Sequence, residues 1–207
     1  MNRVRIWHEG EPVGALAAAI DRGAVVAIPT ESSYGLAVDP RDAAAVARVM
    51  ALKGRDAGKP LPVVVAEEAA LRALPVDREC EALRRFAALW PAPLSLLLPL
   101  TAPLAAAAGE PSVAVRVPAH PLLRRLLAAL GRPLTATSAN LAGDPAILDP
   151  TAAAELLATG GEESWLVDGG MLPGGLPSTL VAVERGEVRI LRVGRFPSDR
   201  LLEGVIR

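Results

Sequence analysis

The chain has 207 residues, 51% of them hydrophobic, with 22 Lys or Arg against 23 Asp or Glu and a single cysteine. That length suits one domain burying roughly 70% of its unfolded surface. A formal net charge of -1 argues against a bulk electrostatic grip on nucleic acid, lone Cys80 excludes an internal disulfide framework or a thiolate-rich metal site, and the proline-broken apolar runs are too short to cross a bilayer.

The opening "MNRVRIWHEGEP" is polar and mixed, with no basic region leading into an apolar one, so we expect no signal peptide and a cytoplasmic location. Glu11 to Gly23 reads as a helix, with Pro12 near its start and Gly23 past its end. The apolar run Ala24 to Thr30 predicts a buried strand. In "DPRDAAAVARVMALKGR", Asp39 is the expected N-cap and Pro40 the first helical residue, and the last turn delivers Lys53 and Arg55. Leu61 to Ala66 predicts a strand, and Arg78 to Trp90 an amphipathic helix stopped by Pro91. Further strands are expected at "LSLLLP", "SVAVRVP", "PLTATS", "SWLVD", "STLVAVE" and "VRILRVG", with helices near His120 to Leu130 and Thr151 to Ala158. Adjacent strands alternate with helix-separated ones, which predicts a mixed α/β (α+β) single domain: a mixed sheet flanked by helices.

With two histidines, one cysteine, no G-x-S-x-G elbow and no H-E-x-x-H, a Ser-His hydrolase or zinc site has almost no material. His120, where a helix begins, reads as a capping or surface residue. Chemistry here must rest on binding and electrostatics. Only two of the basic residues are lysines, Lys53 and Lys59, in a chain that otherwise uses Arg. They flank "GRDAGKP", which is not a Walker A loop: its glycines are one residue too close, Pro60 stands in place of Ser/Thr, and it follows a helix. What remains is a glycine-bearing turn carrying Lys53, Arg55 and Lys59, which suits phosphate or a solvated helix end. "PLTATSAN" sets Ser138 and Asn140 at a strand's carboxyl end, where α/β sheets bind ligands. "PTESSYGL" places Thr30, Ser32, Ser33 and Tyr34 after the first expected strand. Arg116, inside an apolar strand, needs a partner anion or a cleft. Ser178 and Arg192 complete the polar set near the last strands.

In order, "IPTESSYGLAVD", "KGRDAGKPLPVVV", "WPAPLSLLL", "VAVRVPAHP", "TATSAN", "PSTLVAV" and "ILRVGRF" resemble the YrdC/Sua5 family of threonylcarbamoyl-AMP synthases. The resemblance covers roughly Asp21 to Phe196 of one YrdC-like domain, in a short form without the family's extra C-terminal domain. It implies a twisted mixed sheet of the YrdC/RibB-like kind, with helices around a concave cationic cavity. The implied reaction joins L-threonine, bicarbonate and ATP into threonylcarbamoyl-adenylate plus pyrophosphate. A separate transferase then passes the group to an adenosine of tRNA, so tRNA or that transferase complex is an implied partner. By the same resemblance Lys53 and Arg55 are the catalytic pair on the triphosphate. Asn140 and Arg192 also hold the nucleotide, and Lys59 is a rim cation. Ser32, Arg116, Ser138 and Ser178 surround threonine, Arg116 taking its carboxylate. Mg2+ accompanies ATP on phosphates and water, with no dedicated protein site. Ser32 stands where the family commonly has Thr, Ser33 replaces an aliphatic residue, Asp56 replaces a proline, and "WPAP" departs from W-P-G-P. An RNA-binding module using the same cavity is the competing reading, disfavoured by net charge and by 3% aromatic residues, which leave little for base stacking.

Overall fold

The structure, a computed structural model, describes residues 4–54 and 58–202. Its first half runs β1 (Arg5–Trp7), α1 (Gly14–Asp21), β2 (Val25–Pro29), β3 (Tyr34–Ala37), α2 (Ala43–Leu52), β4 (Val63–Val64), α3 (Glu81–Phe86) and β5 (Leu94–Pro99). The second half runs β6 (Ser112–Arg116), α4 (Pro121–Leu130), β7 (Leu134–Thr135), β8 (Thr137–Ser138), α5 (Pro150–Ala158), β9 (Ser164–Val167), β10 (Thr179–Glu184), β11 (Glu187–Arg192) and α6 (Asp199–Leu202). Most strands and helices fall within the expected segments, with β1, β3 and α6 as additions. The two added strands are each held in place by a neighbouring strand, β9 or β2.

The expected single sheet is two. One has the order β1-β9-β2-β3-β8 and the other β11-β10-β5-β6-β4-β7. Both mix parallel and antiparallel pairs, as with β2 alongside β9 and against β3. They meet in one stretch of chain. Residues 134–135 pair with β4 (Val63↔Thr135) and residues 137–138 with β3 (Gly35↔Ser138). Between them Ala136 N–H donates to the Pro62 carbonyl at 2.8 Å. Gly35 permits the approach, since a Cβ there would lie 3.2 Å from the Thr137 carbonyl oxygen.

Alternation along β2 explains the layers. Val25 and Ala27 face a core shared with Leu94, Leu96 and Val115 of the second sheet. Val26 and Ile28 face a second core filled by α1 and by Leu122, Leu123, Leu126, Leu127 and Leu130 of α4. A strand buried on both faces reads as a continuous apolar run. Each α4 leucine taken out of water contributes roughly 1.5–3 kcal/mol. His120 caps this helix: its Nδ1 accepts the Leu123 N–H at 3.4 Å, the role read from sequence.

Two local expectations need correction. Asp39 does not cap α2. It takes the Arg41 N–H at 2.9 Å and pairs with the Arg41 guanidinium at 2.6 Å, closing a turn first. Asp42 then accepts the N–H groups of Ala44 and Ala45 at 2.9 and 3.1 Å. The helix expected over Arg78 to Trp90 is also shorter: α3 begins after Cys80 and passes into a 3-10 turn at Ala87–Leu89.

Candidate functional site

Strand ends bring the polar residues together. β2 ends at Pro29 and releases Thr30, Glu31 and Ser32; β6 ends at Arg116; β8 ends at Ser138; β11 ends at Arg192; and Ser178 immediately precedes β10. A cavity of about 310 Å3 is lined by Ser32, Arg116, Ser138, Ser178 and Arg192, among others. A second of about 310 Å3 is lined by Lys53, Lys59, Asn140 and again Ser138. The structure thus collects every sequence-predicted site residue within the described chain into two cavities that share one residue. Arg55 lies outside the described residues. Arg192 lies with Arg116 and Ser178, apart from Lys53 and Lys59.

Arg116 is 9% exposed. Its Nη2 lies 3.3 Å from the Glu31 carboxylate, while its Nε is buried without a hydrogen-bond partner. Burial lowers its pKa and the Glu31 charge opposes that fall. The two sequence alternatives for Arg116, an ion pair or a cleft, therefore both hold. Glu31 was missed. It stands inside the "PTESSYGL" stretch, and the need of a buried Arg for an anion was the available signal; its location awaited the fold. The other Glu31 oxygen accepts the Ala119 N–H at 2.6 Å.

Arg192 donates from Nε to the Ser178 carbonyl and from Nη2 to Ser178 Oγ, both at 3.1 Å. Ser178 Oγ also meets Ser95 Oγ at 2.9 Å, a second residue that sequence reading passed over. Burial, then the like charge of Arg116, lower the Arg192 pKa. The glycine-rich segment before Ser178 lies against the Ser32 loop: Gly174 N–H donates to the Ser32 carbonyl at 2.8 Å. Tyr34 holds its other end, its hydroxyl donating to the Gly170 carbonyl at 2.9 Å and accepting the Gly169 N–H at 3.1 Å. Burial raises the Tyr34 pKa, so the phenol stays protonated for this work.

Lys53 differs from expectation. Sequence reading placed it as an exposed cation at a helix end, yet it is 2% exposed. α2 ends there, and the ammonium turns inward to the Asn140 side-chain oxygen at 2.7 Å, the Asn140 carbonyl at 3.1 Å, and the Ser138 carbonyl. Ser138 Oγ donates to the same Asn140 oxygen at 2.7 Å, and Asn140 Nδ2 donates to the Asp144 carbonyl at 2.6 Å. Lysine and the S-x-N turn are thus one hydrogen-bonded unit. Lys59 is exposed beside it.

Further cavities among the described residues lie elsewhere and include none of these residues; two of them have charged walls. One, of about 540 Å3, has Arg72, Arg124, Arg125 and Arg132 at its walls. The other, of about 320 Å3, adjoins Arg48 and Glu162.

Residues 18–194 match the family model described as Telomere recombination, Sua5/YciO/YrdC. The chain belongs to the Sua5/YciO/YrdC family. A family relative from Chromohalobacter salexigens, named threonylcarbamoyl-AMP synthase, is 41% identical over 174 residues, 82% of this chain and 91% of that protein. A relative of the same name from Pyrococcus abyssi is 36% identical over 96% of this chain, which spans 57% of that protein's length. The crystal structure of P. abyssi Sua5 complexed with L-threonine matches with a TM-score of 0.85 at 33% identity, covering 99% of this chain and 61% of that one. E. coli YciO, at 24% identity and a TM-score of 0.76 over 94% of this chain and 96% of its own, shares the fold.

Proposed function

We propose that the protein is a threonylcarbamoyl-AMP synthase, joining L-threonine, CO2 drawn from bicarbonate, and ATP with release of pyrophosphate. The observation that carries this reading is the sharing of Ser138 by two cavities. One offers a desolvated guanidinium to a carboxylate, the other offers lysines to phosphates. Two reactants bound on either side of one residue are held for a single displacement.

Threonine's neutral amine adds to CO2, giving a carbamate and a proton. A carbamate oxygen then attacks the α-phosphorus of ATP and pyrophosphate leaves. No protein nucleophile is needed, so orientation and charge stabilisation are the protein's work. Ser32, Arg116, Ser138 and Ser178 surround threonine, with its carboxylate on Arg116. Lys53, Lys59, Asn140 and Arg192 hold the nucleotide, and Arg55 joins them. Arg192, beside Ser178, is the nucleotide contact on the threonine side. Lys53 acts through its charge and by fixing the S-x-N turn; direct phosphate contact requires it to exchange one protein oxygen. Mg2+ arrives as part of the nucleotide substrate, on phosphates and water. The product is a mixed anhydride that a separate transferase uses on tRNA, in the cytoplasm.

The test is pyrophosphate release by the purified protein with ATP, Mg2+ and bicarbonate, with and without L-threonine, and mass spectrometry of the product. Threonine-dependent release with the mass of the adenylate is expected. A protein that binds ATP and releases no pyrophosphate under any of these conditions is not the synthase.

A further inference from the structure

We propose that Arg195 is a positioning residue: it clamps the glycine-rich segment before Ser178 against the Ser32 loop and so sets the spacing of Ser32 and Ser178 in the threonine cavity. The inference rests on the reading that this cavity receives threonine. Residues 168–178 form neither helix nor strand and carry four glycines. Such a segment gives up much backbone freedom when it is ordered, so its geometry depends on where it is tied. Tyr34 ties its start. Further on, Gly174, in the left-handed region at a φ of 71°, reaches the Ser32 loop.

Arg195 closes that meeting point. Its Nη1 donates to the Gly174 carbonyl at 3.2 Å and to the Glu31 carbonyl, while the Gly174 N–H donates to the Ser32 carbonyl at 2.8 Å. Two consecutive carbonyls of the loop are thus tied to one glycine, one of them directly and the other through the guanidinium. The Arg195 N–H adds a tie to the Pro177 carbonyl at 2.8 Å, beside Ser178. Arg195 itself is exposed and does not line the cavity, whereas Ser32 and Ser178 both do. It acts through them. Neither the glycine-rich segment nor the Ser32 loop lines the cavity of Lys53 and Lys59, so loosening the clamp should fall on threonine and spare ATP.

Calorimetry with L-threonine alone and with ATP alone, each without turnover, tests this. Arg195→Ala should weaken threonine binding about fivefold and ATP binding less than about twofold. One nitrogen serves both carbonyls, so Arg195→Lys, whose ammonium also carries several donors, should stay within about twofold of the wild type. The threonine loss should persist in about 0.5 M NaCl, because the acceptors are uncharged. An unmoved threonine affinity in folded Arg195→Ala overturns the role, as does an equal loss for ATP or a failure of lysine to rescue. A loss that salt abolishes also overturns it, making Arg195 a distant charge and no clamp. Should Arg195→Ala not fold, Arg195→Gln, too short to bridge both carbonyls, is expected to show the same loss and decides in its place. Absence of threonine binding by the wild type removes both this role and the proposed function; threonine binding left unmoved in the variants removes the Arg195 role alone.

Discussion

Lys53 and Arg116 are both buried, yet Lys53 ends on three protein oxygens while Arg116 meets one carboxylate and keeps its Nε unpartnered. A lysine can place three donors on a turn and knit it together; a guanidinium in a half-satisfied setting is aimed at something else. The first arrangement stabilises the fold at the edge of the cavity lined by Lys59 and Asn140. In the second, Glu31 offsets the desolvation of the guanidinium only in part, and a further anion would complete it. Neighbouring cations of one site thus divide between scaffold and reader.

The comparison breaks first at Lys53. Lys53→Ala removes a charged donor from three partly buried oxygens, which should cost about 2 kcal/mol and lower the melting temperature by roughly 4–8 °C, with turnover lost. An unchanged melting curve would return Lys53 to the exposed role read from sequence. Next comes Arg116→Ala: threonine affinity should fall about a hundredfold while ATP affinity moves less than about threefold. Calorimetry giving the reverse ranking would make Arg116 a nucleotide residue. Ser178→Ala is milder. Arg192 keeps the Ser178 carbonyl and loses only the hydroxyl, so a rise in KM of roughly fivefold is expected, near 1 kcal/mol. A hundredfold loss would mean that Ser178 itself touches the reacting groups.

The smallest effect lies outside both cavities. Burial lowers the His120 pKa below its ordinary 6.5, with Glu31 opposing and Arg125 adding to the fall. The unfolded chain then binds a proton more readily than the folded one, so this contribution is present above pH 6.5 and is lost as pH drops through the lowered value. Protonation also takes away the Nδ1 acceptor that caps α4. Thermal melts of the wild type should therefore weaken below that pH, and His120→Asn, which caps without titrating, should flatten the slope. An equal slope in both proteins assigns the acid sensitivity to other groups.

Much of this was legible in the sequence, for reasons that differ by residue. Strand-end polar residues announced themselves: Ser138, Asn140 and Arg192 each follow or close an apolar run and Ser178 opens one, and a strand begins and ends where its pattern does. Arg116 was readable as a cation in need of an anion. Glu31 was not readable as its company, nor Ser95 as the partner of Ser178, because pairings across 85 and 83 residues are set by topology. The Lys53 error has the same origin. A cation in a helix's last turn is ordinarily solvated, and only the S-x-N turn packed on that helix end turns it inward. Asp39, the expected cap, is engaged by Arg41, and Asp42, three residues on, takes the helix end in its place.

The stretch from Leu134 to Ser138 belongs to both sheets and ends on the residue common to both cavities. Under the proposed function it is a ruler: its length sets how far apart the two substrates sit. Deleting one residue there would leave two intact half-sites out of step, a protein that still holds amino acid and nucleotide and never lets them react. A one-residue insertion or deletion in this stretch is therefore expected to cost more turnover than a substitution in either cavity.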